Sequence, residues 1–293
     1  MYELVQVGEY SYYIECPARI GLVRLSEREV CLIDSGNDKD AGRKVLKILN
    51  ENCWNLSYIL NTQSHADHIG GNKYLQSKTG CNIYSPGIEC DFTNHPVLEP
   101  SFLYGGFAPN NLRHKFLMAK ESDALPLEVF ELPTVFKEII PLYGHSFDMV
   151  GFRTKDDVVY LADSIFSEAT MDKYKINFLY DIQAHLSTLE RLKDIEGKMF
   201  VPAHVEPTDS IKGIVRKNIE NVHEVAENIE KLCEHPASFE EILQKLFYEY
   251  NLKMTLEQYF LVGNTVKSYL AWLKNTEKID VIFQDNILFW IKK

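Results

Sequence analysis

The chain has 293 residues, 45% of them hydrophobic, enough for one large domain or one domain with a smaller appendage. Its formal net charge of -11 argues against nucleic acid or an anionic membrane surface as the main partner. The six cysteines show no C-x-x-C spacing, and the start, MYELVQVGEYSYYIE, has neither a basic leader nor a long apolar stretch; both point to reduced thiols in a cytoplasmic protein without a membrane span.

In chain order, YELVQV, YSYYIE, IGLVRL and EVCLID are short β-branched or aromatic runs, spaced like strands joined by tight turns. DKDAGRKVLKILNEN predicts a helix with Val45, Leu46, Ile48 and Leu49 on its apolar face. LSYILN predicts a buried strand, GGNKYLQSKTG a short helix ended by Gly80, and CNIYS another strand. Residues 86–126 lack periodicity and hold Pro86, Pro96, Pro100 and Pro109; the aromatics Phe92, Phe102, Tyr104, Phe107 and Phe116 favour a packed lid. Strands resume at LEVFEL, FKEIIPL, MVGFRT and DVVYLAD. A helix over DIQAHLSTLERLKDI, a strand KMFVPAH and a long helix within 207–233 follow. This order suggests two packed sheets with helices outside, an α/β sandwich spanning 1–235.

The tail, 236–293, reads as a separate module. Ser238 and Glu241, and Thr255 and Gln258, stand at capping-box spacing before two helices. KIDVIF and ILFWIK then form a hairpin turning at Gln284-Asp285-Asn286. The shape is winged-helix-like, but its lysines are matched by acids, so packing or homodimer formation is expected rather than DNA binding.

The chemistry concentrates in NTQSHADHIGGN, which places His65, Asp67 and His68 within four positions after a strand. Imidazole nitrogen and carboxylate oxygen bind Zn²⁺ at about 2.0–2.2 Å, and one such cluster cannot complete a site. His145 follows EIIPLYG, Asp163 ends VVYLAD and His204 follows MFVPA, so three further ligand types stand at strand ends. Asp163 also suits the N-cap of DSIFSEA. His95, His114, His185, His223 and His235 are expected to pack, and Tyr104 and Tyr143 are the first aromatics to consider as pocket lining, with plain packing an equal alternative.

The motifs QSHADHIGG, GHS, LADS and PAH, in this order over about residues 10–205, resemble the metallo-β-lactamase-fold superfamily. That family is marked by H-x-H-x-D-H followed by a His, an Asp and a His, each after a strand. Asp34 in LIDSG matches the family's supporting acid. The resemblance implies a four-layer αββα sandwich and two adjacent cations. One would be held by Gln63, His65 and His145, the other by Asp67, His68 and His204, with Asp163 bridging. Asp67 would be catalytic, orienting the attacking hydroxide and handling its proton.

The departure is Gln63, where the family usually has His. A neutral amide oxygen is a poorer ligand than imidazole, so the first of two Zn²⁺ sites is expected to be weaker, or to take a harder ion such as Mn²⁺ or Fe²⁺. A bound cation lowers the pKa of its water from about 15.7 toward about 7. The expected function is therefore metal-dependent hydrolysis of a small ester, thioester, lactone, amide or phosphoester. The alternatives are a non-heme iron redox enzyme of sulfur-oxygenase type, a nuclease, and a catalytically weak binding protein.

Overall fold

A computed structural model describes residues 2–293. Its first sheet has seven strands in chain order: β1 (Glu3–Gln6), β2 (Ser11–Glu15), β3 (Ile20–Arg24), β4 (Glu29–Ile33), β5 (Asn55–Leu60), β6 (Asn82–Ser85) and β7 (Ala124–Pro126). The first four pair antiparallel, and β4 to β7 run parallel. The crossovers carry α1 (Lys39–Glu51), the short α2 (Ala66–Ile69), α3 (Asn72–Thr79), α4 (Glu89–Asn94) and α5 (Leu98–Tyr104).

The second sheet holds β8 (Phe136–Pro141), β9 (Val150–Thr154), β10 (Val158–Ala162) and β11 (Met199–Pro202), in the order β11-β10-β9-β8. Helices α6 (Glu168–Tyr174) and α7 (Ile182–Leu192) join β10 to its parallel neighbour β11, and α8 (Lys212–Leu232) follows. The tail adds α9 (Phe239–Glu249), α10 (Leu256–Asn275) and a hairpin of β12 (Ile279–Gln284) and β13 (Ile287–Lys292).

The central strands are apolar on both faces, and their alternation sorts side chains into layers. Val23, Cys31, Ile33 and Leu60 of the first sheet meet Val150, Phe152, Val158 and Tyr160 of the second. The opposite face of the first sheet, with Leu22, Val30, Leu32 and Ile59, packs on Val45 and Leu49 of α1 and Leu75 of α3. Beyond the second sheet, Val159, Leu161 and Phe200 pack on Leu189 and Leu192 of α7 and Val215 of α8. This is the expected αββα sandwich.

Local signals behave as their chemistry dictates. Asp38 caps α1 by accepting from the backbone N–H groups of Asp40 and Ala41. Gly80 ends α3 at φ +71°. The Ser238–Glu241 capping box is closed. Thr255 accepts from the Gln258 N–H, while the Gln258 side chain reaches a cleft described below. The hairpin turn is tighter than expected, two residues, with Asp285 and Asn286 both at positive φ.

One predicted strand is overturned. LEVFEL is not a strand: the ladder ends at Pro126, and Leu127–Val129 forms a 3₁₀ turn. β7 is the edge of its sheet, and a proline there has no N–H to carry the pairing on.

The irregular segment folds as a lid around Phe92, Phe102, Phe147 and Tyr180, whose rings touch edge-on or tilted. Helix α10 grips it. Asn264 Nδ2 donates to the Leu103 carbonyl at 2.7 Å, and the Tyr104 and Phe260 rings lie 5.0 Å apart. On its other side α10 shares one apolar cluster with α6, α7 and α8, through Val262, Val266 and Leu270 against Met171, Leu186 and Val222.

Phe152, at 0% exposure between the sheets, contrasts with Phe283, 71% exposed on the hairpin. Chemical denaturation should show Phe152→Ala costing about 3–5 kcal/mol and Phe283→Ala less than about 0.5 kcal/mol. Equal costs would contradict the layer assignment.

Candidate metal centre

The expected ligands sit on loops that leave the C-terminal ends of β5, β8, β10 and β11 at one rim of the sandwich. After β5, Asn61 to Ser64 run buried to His65, which precedes the single turn of α2. The loop after β4 underpins this segment. Asp34, at φ +65°, accepts from the Thr62 N–H at 2.8 Å, from Thr62 Oγ1 at 2.7 Å and from His68 Nδ1 at 2.7 Å. Ser35 N–H donates to the His68 carbonyl at 2.7 Å. The two loops pass so closely that a Cβ on Gly71 would strike the Ser35 carbonyl oxygen.

Two backbone irregularities aim the remaining groups. The β10 register shifts between Tyr160 and Ala162, and Ala162 stands at φ +48°, which turns Asp163 inward. Asp163 is no helix cap: Ser167 caps α6 by accepting from the Thr170 N–H. Gly144, at φ +120°, lies against the His185 backbone, and its carbonyl accepts from Tyr180 and Asp181, fixing the turn that presents His145.

The structure brings all seven expected residues into one cluster. Asp67, His68, Asp163 and His204 each offer a ligand atom within 4.8 Å of the others, and so do His65, His145 and Asp163. Asp163 belongs to both groups. Its Oδ2 lies 3.0 Å from His68 Nε2 and 3.3 Å from His145 Nε2, and its Oδ1 lies 3.5 Å from His204 Nε2. Asp67 Oδ2 is 3.2 Å from His204 Nε2, and His65 Nδ1 is 3.1 Å from His145 Nε2.

Gln63 sits between the groups. Its Nε2 donates to Asp163 Oδ2 at 2.8 Å and lies 2.9 Å from His68 Nε2. Gln63 Oε1 and Asp163 Oδ1 are buried without a hydrogen-bond donor. Buried acceptors are normally satisfied. The orphaned Asp163 Oδ1, 3.5 Å from His204 Nε2, and the converging imidazole nitrogens form a donor set that suits divalent cations such as Zn²⁺.

Outer contacts orient the rings. His68 Nδ1 faces Asp34, His145 Nδ1 faces the Phe178 carbonyl at 3.0 Å, and His204 Nδ1 faces the Pro17 carbonyl at 2.8 Å. An N–H donated outward from each leaves its Nε2 lone pair aimed at the centre.

Protons balance the charge within the cluster. Burial opposes a charge on His68, but Asp163, Asp34 and Asp67 outweigh it and raise its pKa well above the usual value. Burial likewise opposes His204, yet Asp163 and Asp67 lift it to about 9. Asp67 and Asp163 resist burial because His68 and His204 hold them below the usual carboxylate range. Burial and the neighbouring His145 push His65 down to about 3. A cation entering such a site displaces protons from it.

The centre opens into a cleft of about 950 Å³. Phe116 of the lid, Phe166, Tyr174 and Phe178 supply its aromatic wall, and Gln258, Leu261 and Val262 of α10 face it. Neither Tyr104, which stacks on Phe260, nor Tyr143 is among the lining residues. Sequence reasoning missed two lid carboxylates. Glu89, fully buried, accepts from Ser64 N–H at 2.9 Å, from Ser64 Oγ and from Asp148 N–H at 3.2 Å. Glu99 faces His65, and burial near Glu89 and Asp67 raises its pKa to about 8. No periodicity in the lid distinguishes these two from surface acids.

A family model described as Metallo-beta-lactamase superfamily matches residues 13–204. A hydroxyacylglutathione hydrolase of Methylococcus capsulatus is 27% identical over 124 residues, covering 42% of this chain and 39% of the relative. A hydroxyacylglutathione hydrolase of Pelagibacter ubique is 38% identical over 74 residues, covering 25% of this chain and 26% of the relative. The chain thus aligns with well under half the length of these curated relatives.

Among solved structures, a beta-lactamase domain protein from Burkholderia ambifaria is similar in fold, with a TM-score of 0.74 and 15% identity over 99% of this chain and 94% of that one. A metallo-beta-lactamase family protein from Thermus thermophilus reaches a TM-score of 0.71 at 15% identity, covering 100% of this chain and 98% of that one. With a family model spanning most of its sandwich, the chain belongs to the metallo-beta-lactamase superfamily.

Proposed function

We propose that this chain is a metallo-hydrolase that cleaves small acyl thioesters at a centre holding two cations. The observation that carries this reading is Asp163, which stands in both ligand groups: its Oδ2 lies between His145 of one set and His68 of the other, and its Oδ1 faces His204. Gln63, His65 and His145 would hold one cation, and Asp67, His68 and His204 the other, with Asp163 bridging. The nitrogen-rich donor set suits Zn²⁺, with Fe²⁺ or Mn²⁺ as alternatives at the Gln63 side. For Gln63 to ligate, its amide must turn so that Oε1 replaces Nε2 beside the centre.

When bound, the cations supply Lewis acidity and make water acidic enough to ionise near neutral pH. The chain's own groups do the rest. Asp67, beside the cleft, orients the attacking water and takes its proton. The new C–O bond forms at the acyl carbon, the C–S bond breaks, and the proton returns to the departing thiolate. The products are a carboxylic acid and a thiol. The aromatic wall receives the acyl or thiol arm and keeps bulk water from it.

Support for a thioester among small esters comes from the similarity to hydroxyacylglutathione hydrolases, together with the partly apolar cleft. We also read residues 1–235 as the catalytic unit with a lid insertion at 86–126, and 236–293 as a winged-helix-like module. Its α10 walls the cleft and clasps the lid, which suits packing and substrate fit rather than nucleic-acid contact.

Protein purified without chelators and loaded with Zn²⁺ should hydrolyse S-acyl thioesters, and Asp67→Asn should lower kcat by about 10²- to 10⁴-fold while the fold is retained. Turnover undiminished in this variant would remove Asp67 from the mechanism. Gln63→His should tighten the weaker cation at least about tenfold in a chelator competition, the equivalent of about 1.4 kcal/mol. Two equal tight sites in the unmodified protein would contradict the weak-site reading. Leu261→Trp should raise KM with kcat little changed; no change in KM would take α10 out of substrate binding.

A further inference from the structure

Three of the four histidines in the centre donate outward to a protein acceptor: Asp34, the Phe178 carbonyl and the Pro17 carbonyl. The fourth, His65, has its Nδ1 toward His145 Nε2 at 3.1 Å and its Nε2 toward Glu99 Oε1 at 4.0 Å. Glu99 lies on α5 of the lid, its side chain is 12% exposed, and no hydrogen bond among the described residues satisfies it. A carboxylate in that place is costly unless it has a purpose there.

Two tautomers are open to a neutral His65. In one, Nδ1–H donates to His145 and the ring closes the centre to a cation. In the other, Nε2–H points to Glu99 and the Nδ1 lone pair faces the cation position. We propose that Glu99 is a positioning residue that accepts the His65 Nε2–H and thereby presents Nδ1 to the weaker cation, so that lid docking and loading of that cation are one event. The proposal rests on the two-cation reading above. At 4.0 Å the two groups are too far apart for a hydrogen bond, so loading requires lid and ring to approach.

The route from the tail to this contact is continuous. Helix α10 holds α5 through Asn264 and the Leu103 carbonyl and through Phe260 against Tyr104, and α5 carries Glu99. Glu89, one helix earlier, ties the same lid to Ser64, next to His65. The lid therefore contributes outer support for His65 in the way the loop after β4 does for His68.

The test is stepwise Zn²⁺ uptake by the full chain against a chromophoric chelator, with Co²⁺ absorption as a second readout. Glu99→Ala should weaken the weaker step by about 10- to 100-fold, leave the tighter step within about threefold and alter the Co²⁺ bands of the weaker site alone. Glu99→Gln, whose amide oxygen still accepts an N–H, should recover most of the loss. Equal uptake by the alanine variant and the unmodified protein overturns the inference. So does equal weakening of both steps, which marks general lid unfolding. An unmodified chain that takes up no cation instead overturns the two-cation reading itself.

Discussion

The arrangement depends on one buried carboxylate. Asp163 stands within 3.5 Å of three imidazoles that arrive on three separate loops. An isolated carboxylate in such a place would be strongly destabilised by the loss of its hydration. It is tolerated because His68 and His204 favour its ionised form, and a cation held there would do the same. Both sheets must register correctly for this to happen, since His68 follows a strand of the first sheet and Asp163 and His204 follow strands of the second. The apolar layer between the sheets, centred on Phe152 and Tyr160, thus determines the spacing of the centre.

Around this knot the chain places three kinds of support. The first is the pair of loops after β4 and β5, joined by Asp34, Ser35 and the close approach at Gly71. The turns before His145 and Asp163 are set by positive-φ backbone and by packing on α7. The third is the lid, a long connection whose short helices are held by aromatic contacts, by α10 and by hydrogen bonds that Glu89 accepts from Ser64 and Asp148. Lids and binding loops are drawn from the low-stability end of a fold. The lid brings Glu99 to 4.0 Å from His65, so under the proposed reading that ring is where occupancy of the centre and closure of the cleft would meet.

Much of this was legible in the sequence. The sandwich could be read because its strands are apolar on both faces and its helices carry one apolar stripe, as in VVYLA and in α1. The seven clustered residues could be read because each follows a strand-like run, and strand ends lie along one rim. Other features were not legible. LEVFEL has strand composition, but Pro126 at a sheet edge ends the ladder, a tertiary circumstance. Glu89 and Glu99 lie where there is no period to count, so nothing local announces that their carboxylates turn inward. The role of α10 was hidden for a related reason. Its capping signals predict a helix correctly but do not say which helix face meets the cleft and which meets α8.

Gln63 shows how one side chain connects these levels. Its amide nitrogen satisfies Asp163 and lies against His68, while its own oxygen is unpaired. A histidine there cannot do this without choosing a tautomer, whereas an amide offers both polarities and can exchange them by one rotation. In the present arrangement the amide gives the buried carboxylate a hydrogen bond, and under the proposed two-cation reading it does so in place of a stronger ligand. Under that reading, outside help at the same cation position is more valuable, and the nearest unused group able to give it is the lid carboxylate behind His65.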